Sequence, residues 1–230
     1  MDSSRMNYIS LIRERHSTRA YEPHALTERD REEVAGAIAS AVPLRSSGHL
    51  LHWALAERSV MGCSTLLYAQ CDPSEEQLLE YGYQGEQIVL ALLANGWGTC
   101  WYASVRLPGS PCSIAVGRPS REGPRAAITA MMARGYTRRP LEKLLTNPVP
   151  EDCSPIVLTV LNSARLAPSA VNRQPWTFQV VSDNEVVIST EGDRFLDLGI
   201  CAAHAMVTAR QLTGKATIRW LSRGRLSVSW

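Results

Sequence analysis

The chain alternates stretches of helical apolar spacing with short extended runs. Leu11 and Ile12 lie in an opening helical segment from Tyr8 to Arg15. Thr27 and Asp30 have capping-box spacing, and Val34, Ala37, Ile38 and Ala41 follow at helical intervals, so a second helix starts at Thr27. Pro43 and the turn Arg45-Ser46-Ser47-Gly48 break the pattern, and short strands are predicted near Leu51–Glu57 and Ser64–Ala69. The clearest helix lies between Ser74 and Asn95. Ser74 caps it, its second half is apolar nearly all round as in a buried helix, and Gly96 ends it. Thr99–Ala103 predicts a strand. Leu107–Gly123, rich in Pro and Gly, predicts a loop, and Ala126–Ala133 a strand ahead of a basic turn.

Around Asn147–Ser154, two Pro, two acidic residues and little apolar content mark the best boundary between halves, 1–150 and 151–230. Beyond it the element order repeats in shorter form. A helix is predicted over Pro155–Ala167, then a hairpin of Trp176–Val181 and Glu185–Thr190 closed by Asp183-Asn184. A helix from Phe195 to Leu212 follows, then strands at Ala216–Leu221 and Arg225–Trp230. The two long helices echo each other. Tyr81-Gly82, Gln87 and Ala91 compare with Leu198-Gly199, His204 and Thr208, which points to an internal duplication. The fold class expected is α+β, with helices packed on mainly antiparallel sheets.

Composition narrows the function. The 230 residues are 45% hydrophobic and 20% charged, with a net charge of +2. That balance gives no broad electrostatic case for nucleic acid or a membrane surface, so anion binding must come from local Arg clusters. No apolar run is long enough to span a bilayer, and Met1–Arg5 does not read as a signal peptide. The six Cys are scattered without a C-x-x-C pair, as expected of reduced thiols in a cytoplasmic protein and not of a metal site.

Four clusters carry candidate chemistry. Arg15-His16-Ser17-Thr18-Arg19 places Arg15, Ser17 and Arg19 on one face if extended, a set suited to a phosphate. Taken alone it reads first as a solvated basic helix end. Arg138-Arg139 ahead of Pro140 can join the same anion or form a surface turn. Ala167–Trp176 combines two Pro and small residues with Ser169, Asn172 and Gln174, a mix suited to the polar edge of a flat heterocycle. Gly96-Trp97-Gly98 permits a tight exit from the buried helix, and Trp101 and Tyr102 can cover an aromatic ligand or simply fill the core.

Together these motifs resemble the FMN-dependent nitroreductases. "RHSTRAY" at Arg15–Tyr21 is similar to the family's N-terminal phosphate motif, and "APSAVNRQPW" at Ala167–Trp176 to its ring-binding motif. "GWGTCW" is similar to its glycine loop, and "GYTRRPLEKLL" to its C-terminal phosphate end. The likeness spans Ile9 to Leu212 and is nearest to a branch in which one chain imitates the usual homodimer. In that family one subunit supplies the phosphate motifs and glycine loop and its partner the "PS-x-x-N" motif. Here the former precede Pro148 and the latter follows it, while second copies are missing. The resemblance therefore implies a monomer holding one FMN per chain.

By the same resemblance, Arg15 and Ser17 hold the FMN phosphate, with His16 contributing through its backbone N–H and Arg138 and Arg139 as further ligands. Arg19 lies near N1 and O2 of the ring, where a cation favours the reduced flavin. Pro168, Ser169, Asn172 and Gln174 contact the ring or ribityl chain. Trp101, Tyr102 and Ala103 lie by its face and N5. The implied activity is ping-pong, two-electron reduction of a nitroaromatic or quinone-like acceptor by NADH or NADPH, with no protein nucleophile or metal. Two departures bear on substrate: Ala103 stands where many relatives carry an acid, and the stretch before the buried helix, Cys71–Glu80, is short. A same-fold flavoenzyme acting on another small metabolite and a scaffold that has lost FMN stay open as alternatives. His204, flanked by alanines, reads as a packed histidine.

Overall fold

A computed structural model describes residues 6–45, 48–120, 122–124, 126–127, 131, 137–150 and 152–230. Two short helices come first, α1 (Tyr8–Glu14) and α2 (Glu28–Ala39). The capping box of α2 is formed in full, Thr27 and Asp30 each satisfying the other's backbone N–H. The hairpin β1 (Trp53–Val60) and β2 (Cys63–Ala69) leads into α3 (Glu75–Ala94), and β3 (Gly98–Tyr102) and β4 (Ser113–Gly117) follow. The later residues repeat this plan. α4 (Pro155–Ala164) precedes the hairpin β5 (Trp176–Ser182) and β6 (Glu185–Thr190), then α5 (Phe195–Thr213), then β7 (Thr217–Ser222) and β8 (Arg225–Ser229).

The strands form two four-stranded antiparallel sheets, ordered β1-β2-β4-β3 and β5-β6-β8-β7. In both, a hairpin, a long helix and a second hairpin-like pair are laid down in the same spatial order, so the duplication is written in the topology. The axis of the repeat runs between α3 and α5. A Cβ on Gly82 would lie 2.1 Å from the carbonyl O of Leu196, and one on Gly199 2.2 Å from that of Leu79. Each glycine thus receives the backbone three residues ahead of the other, a reciprocal contact of the kind seen across a two-fold interface. A second reciprocal pair ties loop to helix. Glu80 accepts from the Leu44 N–H at 3.0 Å, and Asp197 from the Ala170 N–H at 3.0 Å.

Two sequence expectations need correction. Leu107–Gly123 is not all loop, because β4 occupies its middle, with all five residues buried between β2 and β3. Burial on both faces erases the alternation that would mark a strand. The strand expected at Ala126–Ala133 falls largely outside the described residues, and the described ones, Ala126, Ala127 and Met131, are helical. Gly135-Tyr136 also lies outside them. Among the described residues no helix is long and apolar enough to cross a membrane, and no cluster of His, Cys, Asp and Glu is arranged to hold a metal ion.

Candidate functional site

A cleft of about 540 Å³ opens where four segments meet: the chain after α1, the end of β3, the loop before β5 and the first turn of α5. That volume is within the usual range for a small-molecule site. The segment after α1 is extended and fixed to β3 by the Thr18 N–H, which donates to the Thr99 carbonyl at 2.9 Å. Glycine permits this approach, since a Cβ on Gly98 would stand 2.7 Å from the Thr18 methyl. Gly96, at φ +76°, makes the left-handed exit from α3. The Gly-Trp-Gly spacing thus seats the Arg15–Arg19 segment beside the strand that carries Trp101 and Tyr102.

Arg15 is the most constrained cation here. Its side chain is only 6% exposed, and its Nε has no hydrogen-bond partner. Glu86 Oε1 lies 4.0 Å away, but the carboxylate is already engaged, accepting from Trp101 Nε1 at 2.8 Å and facing His204 Nε2 at 2.9 Å. Burial holds the Arg15 guanidinium below its ordinary pKa, against the opposing pull of Glu86. Arg138 is lowered too, by burial first and the Arg15 charge second. Two cations whose charge is disfavoured where they stand make a site that an anion would relieve.

The loop before β5 supplies the opposite wall under backbone strain. Val171, Asn172 and Gln174 have φ of 46°, 55° and 50°, in the left-handed region. A β-branched residue there is a true outlier, and such strain clusters at binding sites. Hydrogen bonds hold the loop in shape: Ser169 Oγ accepts from the Gln174 N–H at 2.9 Å, and Asp197 accepts from Ala170. Burial raises the Asp197 carboxyl, with the Ala170 bond opposing. The loop is stitched to residues 137–139. Asn172 Oδ1 accepts from Arg138 Nη1, Asn172 Nδ2 donates to the Thr137 carbonyl at 3.2 Å, and Gln174 Oε1 accepts from the Arg139 N–H at 2.7 Å.

Of the residues singled out from sequence, His16, Ser17, Arg19, Trp101, Tyr102, Ala103, Arg138, Pro168, Ser169 and Asn172 line the cleft. Three do not. Arg15 lies behind the wall, Gln174 is buried and spends its amide on backbone groups, and Arg139 turns its guanidinium to the Lys143 carbonyl at 3.2 Å. Sequence reasoning missed Val171, Arg194 and Asp197, which also line it. An acid in the first turn of α5, matching Glu80 in α3, was the available signal for Asp197. Burial pushes the Tyr102 phenol up to about 12, and its buried Oη has no partner.

A family model described as "Putative TM nitroreductase" matches residues 7–209. The solved "putative nitroreductase" of Thermotoga maritima is 32% identical, with a TM-score of 0.79, over 97% of this chain and 94% of that one. A nitroreductase family protein of Clostridium novyi is 17% identical over 50% of this chain and 86% of its own, with a TM-score of 0.42. A nitroreductase with bound FMN from Bacteroides fragilis is 15% identical over 51% and 90%, with a TM-score of 0.41. No curated protein matches.

Proposed function

The chain belongs to the TM nitroreductase family, and on that premise we propose that it binds one FMN between its halves, 1–150 and 151–230, and acts as an oxidoreductase. The observation carrying this reading is the division of the cleft. Ser17, Arg19, Arg138 and the end of β3 face it from one half, and Pro168, Ser169 and Asn172 from the other. The residues present fit FMN. The unpartnered Arg15 Nε and the disfavoured charge of Arg138 suit a dianionic phosphate, and the aromatic end of β3 suits a flat ring.

In this reading Ser17, Arg138 and the His16 backbone would hold the phosphate, with the Arg15 charge backing them from behind the cleft wall, while Arg139, turned to the Lys143 carbonyl, stays outside the set. Arg19 would lie toward the pyrimidine edge of the ring, and Trp101, Tyr102 and Ala103 would back its face. Pro168, Ser169 and Asn172 close the other edge, with Gln174 holding that loop in shape. When bound, FMN would supply a two-electron redox centre suited to reduction by NADH or NADPH and reoxidation by a nitroaromatic or quinone-like acceptor. The protein binds, orients and excludes water, and needs no nucleophile of its own. One chain completes the site, so the working unit is a monomer.

In the other half the chain after α2 makes different contacts. There Arg45 lies 4.5 Å over the Trp220 ring of β7 and pairs with Glu76 at 3.1 Å. Titration of flavin-free protein with FMN, followed by visible absorbance and flavin fluorescence, tests the proposal. One equivalent per chain is expected, bleached by NADH or NADPH. Arg15→Ala and Asn172→Ala, in opposite halves, should each weaken binding about tenfold or more, the loss of a hydrogen bond to a charged group. Two equivalents per chain, or an Asn172→Ala variant with unchanged affinity, would sink the shared-site reading.

A further inference from the structure

Behind the cleft a buried polar chain crosses from one half to the other. His204 on α5 and Glu86 on α3 are both fully buried. His204 Nδ1 is 3.0 Å from the Ser163 carbonyl O on α4, and its Nε2 is 2.9 Å from Glu86 Oε1. A carbonyl only accepts, so Nδ1 carries a proton and donates it. Nε2 and Oε1 then need a proton between them, because a neutral imidazole with its hydrogen on Nδ1 would set a lone pair against a carboxylate. Whichever atom holds that proton, the pair is neutral as a unit: imidazolium with carboxylate, or imidazole with carboxylic acid.

This matters for Arg15, 4.0 Å from the same Oε1. Were Glu86 an unshared anion, it would cancel the Arg15 charge and repel a phosphate. We propose that His204 is a positioning residue for the flavin phosphate: by sharing a proton with Glu86 it masks that carboxylate, so that Arg15 and Arg138 keep their charge for the ligand. The inference rests on the FMN reading above. The charged and titratable groups around the pair are Arg15 and Arg19 after α1, Arg138 in its loop, and the Cys100 thiol on β3, with Trp101 donating to Glu86 Oε2. Glu86 is the acid that Arg15 faces at 4.0 Å, so its state sets how much of the Arg15 charge is left for a phosphate.

Masking predicts an asymmetry that packing does not. In His204→Gln, Glu86 is left as an unmasked anion beside Arg15. In Glu86→Gln, the amide O still accepts from Trp101 and the amide N–H donates to a neutral His204, so the site charge is unchanged. Affinities for FMN and for riboflavin, which lacks the phosphate, separate the effects. His204→Gln should lose about tenfold or more in FMN affinity with riboflavin affinity held, from one extra charge near the phosphate. Glu86→Gln should stay within about threefold of the parent protein for both flavins. The double variant should recover most of the FMN affinity lost in His204→Gln.

Equal losses for FMN and riboflavin in His204→Gln, or a double variant no better than that single one, would overturn the proposal. Should His204→Gln not fold, proton NMR of the parent protein decides. A strongly downfield, exchange-protected resonance is expected for the shared proton, lost in Glu86→Gln, and its absence from the parent is the contrary result. If the parent protein binds neither flavin, the FMN reading itself has failed, an outcome distinct from parent binding with no FMN-specific effect in the variants.

Discussion

The crossing of α3 and α5 gives a sharp test of the architecture, because one kind of substitution should act with opposite signs at two glycines. Gly82→Ala puts a methyl 2.1 Å from the Leu196 carbonyl O and 3.0 Å from the Ile200 N, both backbone atoms that no rotamer can move. To restore a 3.0 Å approach the helices must part by about 0.9 Å (3.0 − 2.1). Overpacking of this sort costs up to about 3 kcal/mol, and alanine's better helix propensity returns up to about 1. The net loss is about 2 kcal/mol, a fall in Tm of roughly 4–8 °C for a chain of this size. Gly36→Ala, on the exposed face of α2 with nothing within 4 Å of its Cβ, meets no such clash. It should gain about 0.5–1 kcal/mol, raising Tm by roughly 1–4 °C. Thermal denaturation by circular dichroism measures both. Because the helices carry Glu86 and His204 past each other, Gly82→Ala should also weaken FMN binding while Gly36→Ala leaves it alone. The Gly82→Ala/Gly199→Ala double variant should cost less than the two singles added, since one separation relieves both contacts. A Gly82→Ala protein that melts within a degree of the parent would refute the close crossing.

Three further outcomes follow from the site. Val171→Gly removes a β-branched residue from left-handed backbone, a strain of about 1–2 kcal/mol, and restores about 0.5–1 of chain entropy. The flavin-free protein should therefore be equally stable or up to ~1 kcal/mol more so by urea titration, and a clear loss would deny the strain. For Asp197 the folded carboxyl is raised above its ordinary 3.8 by burial. Its contribution is present below that value and lost as pH rises through the folded pKa. Asp197→Asn keeps an oxygen for the Ala170 N–H, so it should match the parent near pH 4 and exceed it at pH 7, read from denaturation midpoints. A gain that grows toward acid pH would contradict this. All six thiols are raised by burial, Cys71 to about 11 and Cys112 to about 12. Iodoacetamide at neutral pH should label the native protein slowly and the unfolded chain six times, counted by mass spectrometry, whereas rapid native labelling at Cys100 would show an activated thiol.

Much of this was readable from the chain because local chemistry announces it. Thr27 with Asp30, Ser74 with Gln77, and the Asp183-Asn184 turn each specify an end or a corner through their own hydrogen bonds. β4 was not readable in the same way. Its five residues lie between Pro111 and Pro119 and are buried on both faces, so neither length nor alternation sets them apart from a Pro-rich loop. The candidate site divides likewise. The Arg, Ser and Asn of the cleft stand in motifs, whereas the Glu86–His204 pair joins residues 118 apart in sequence. No local pattern can signal a partner at that separation, and His204 between alanines reads as core packing until the second half is folded onto the first.

The two halves began from one plan, and their differences show what the cleft demands. Glu80 and Asp197 do the same local job, each holding the backbone of the loop that follows the second or fourth helix. Past that point the loops part. In the first, Arg45 folds back over Trp220 and finds Glu76, so cation, ring and acid satisfy one another. In the second, Val171 and Asn172 are held at positive φ, and the nearby Arg15 is kept from the acid it most nearly touches because that acid already serves His204 and Trp101. Around the cleft strain and disfavoured charge remain, terms that lower the stability of the empty fold. On the FMN reading a bound dianion would offset these terms, because the acid behind the wall is already engaged by the histidine and the indole and leaves the Arg15 Nε without a hydrogen bond.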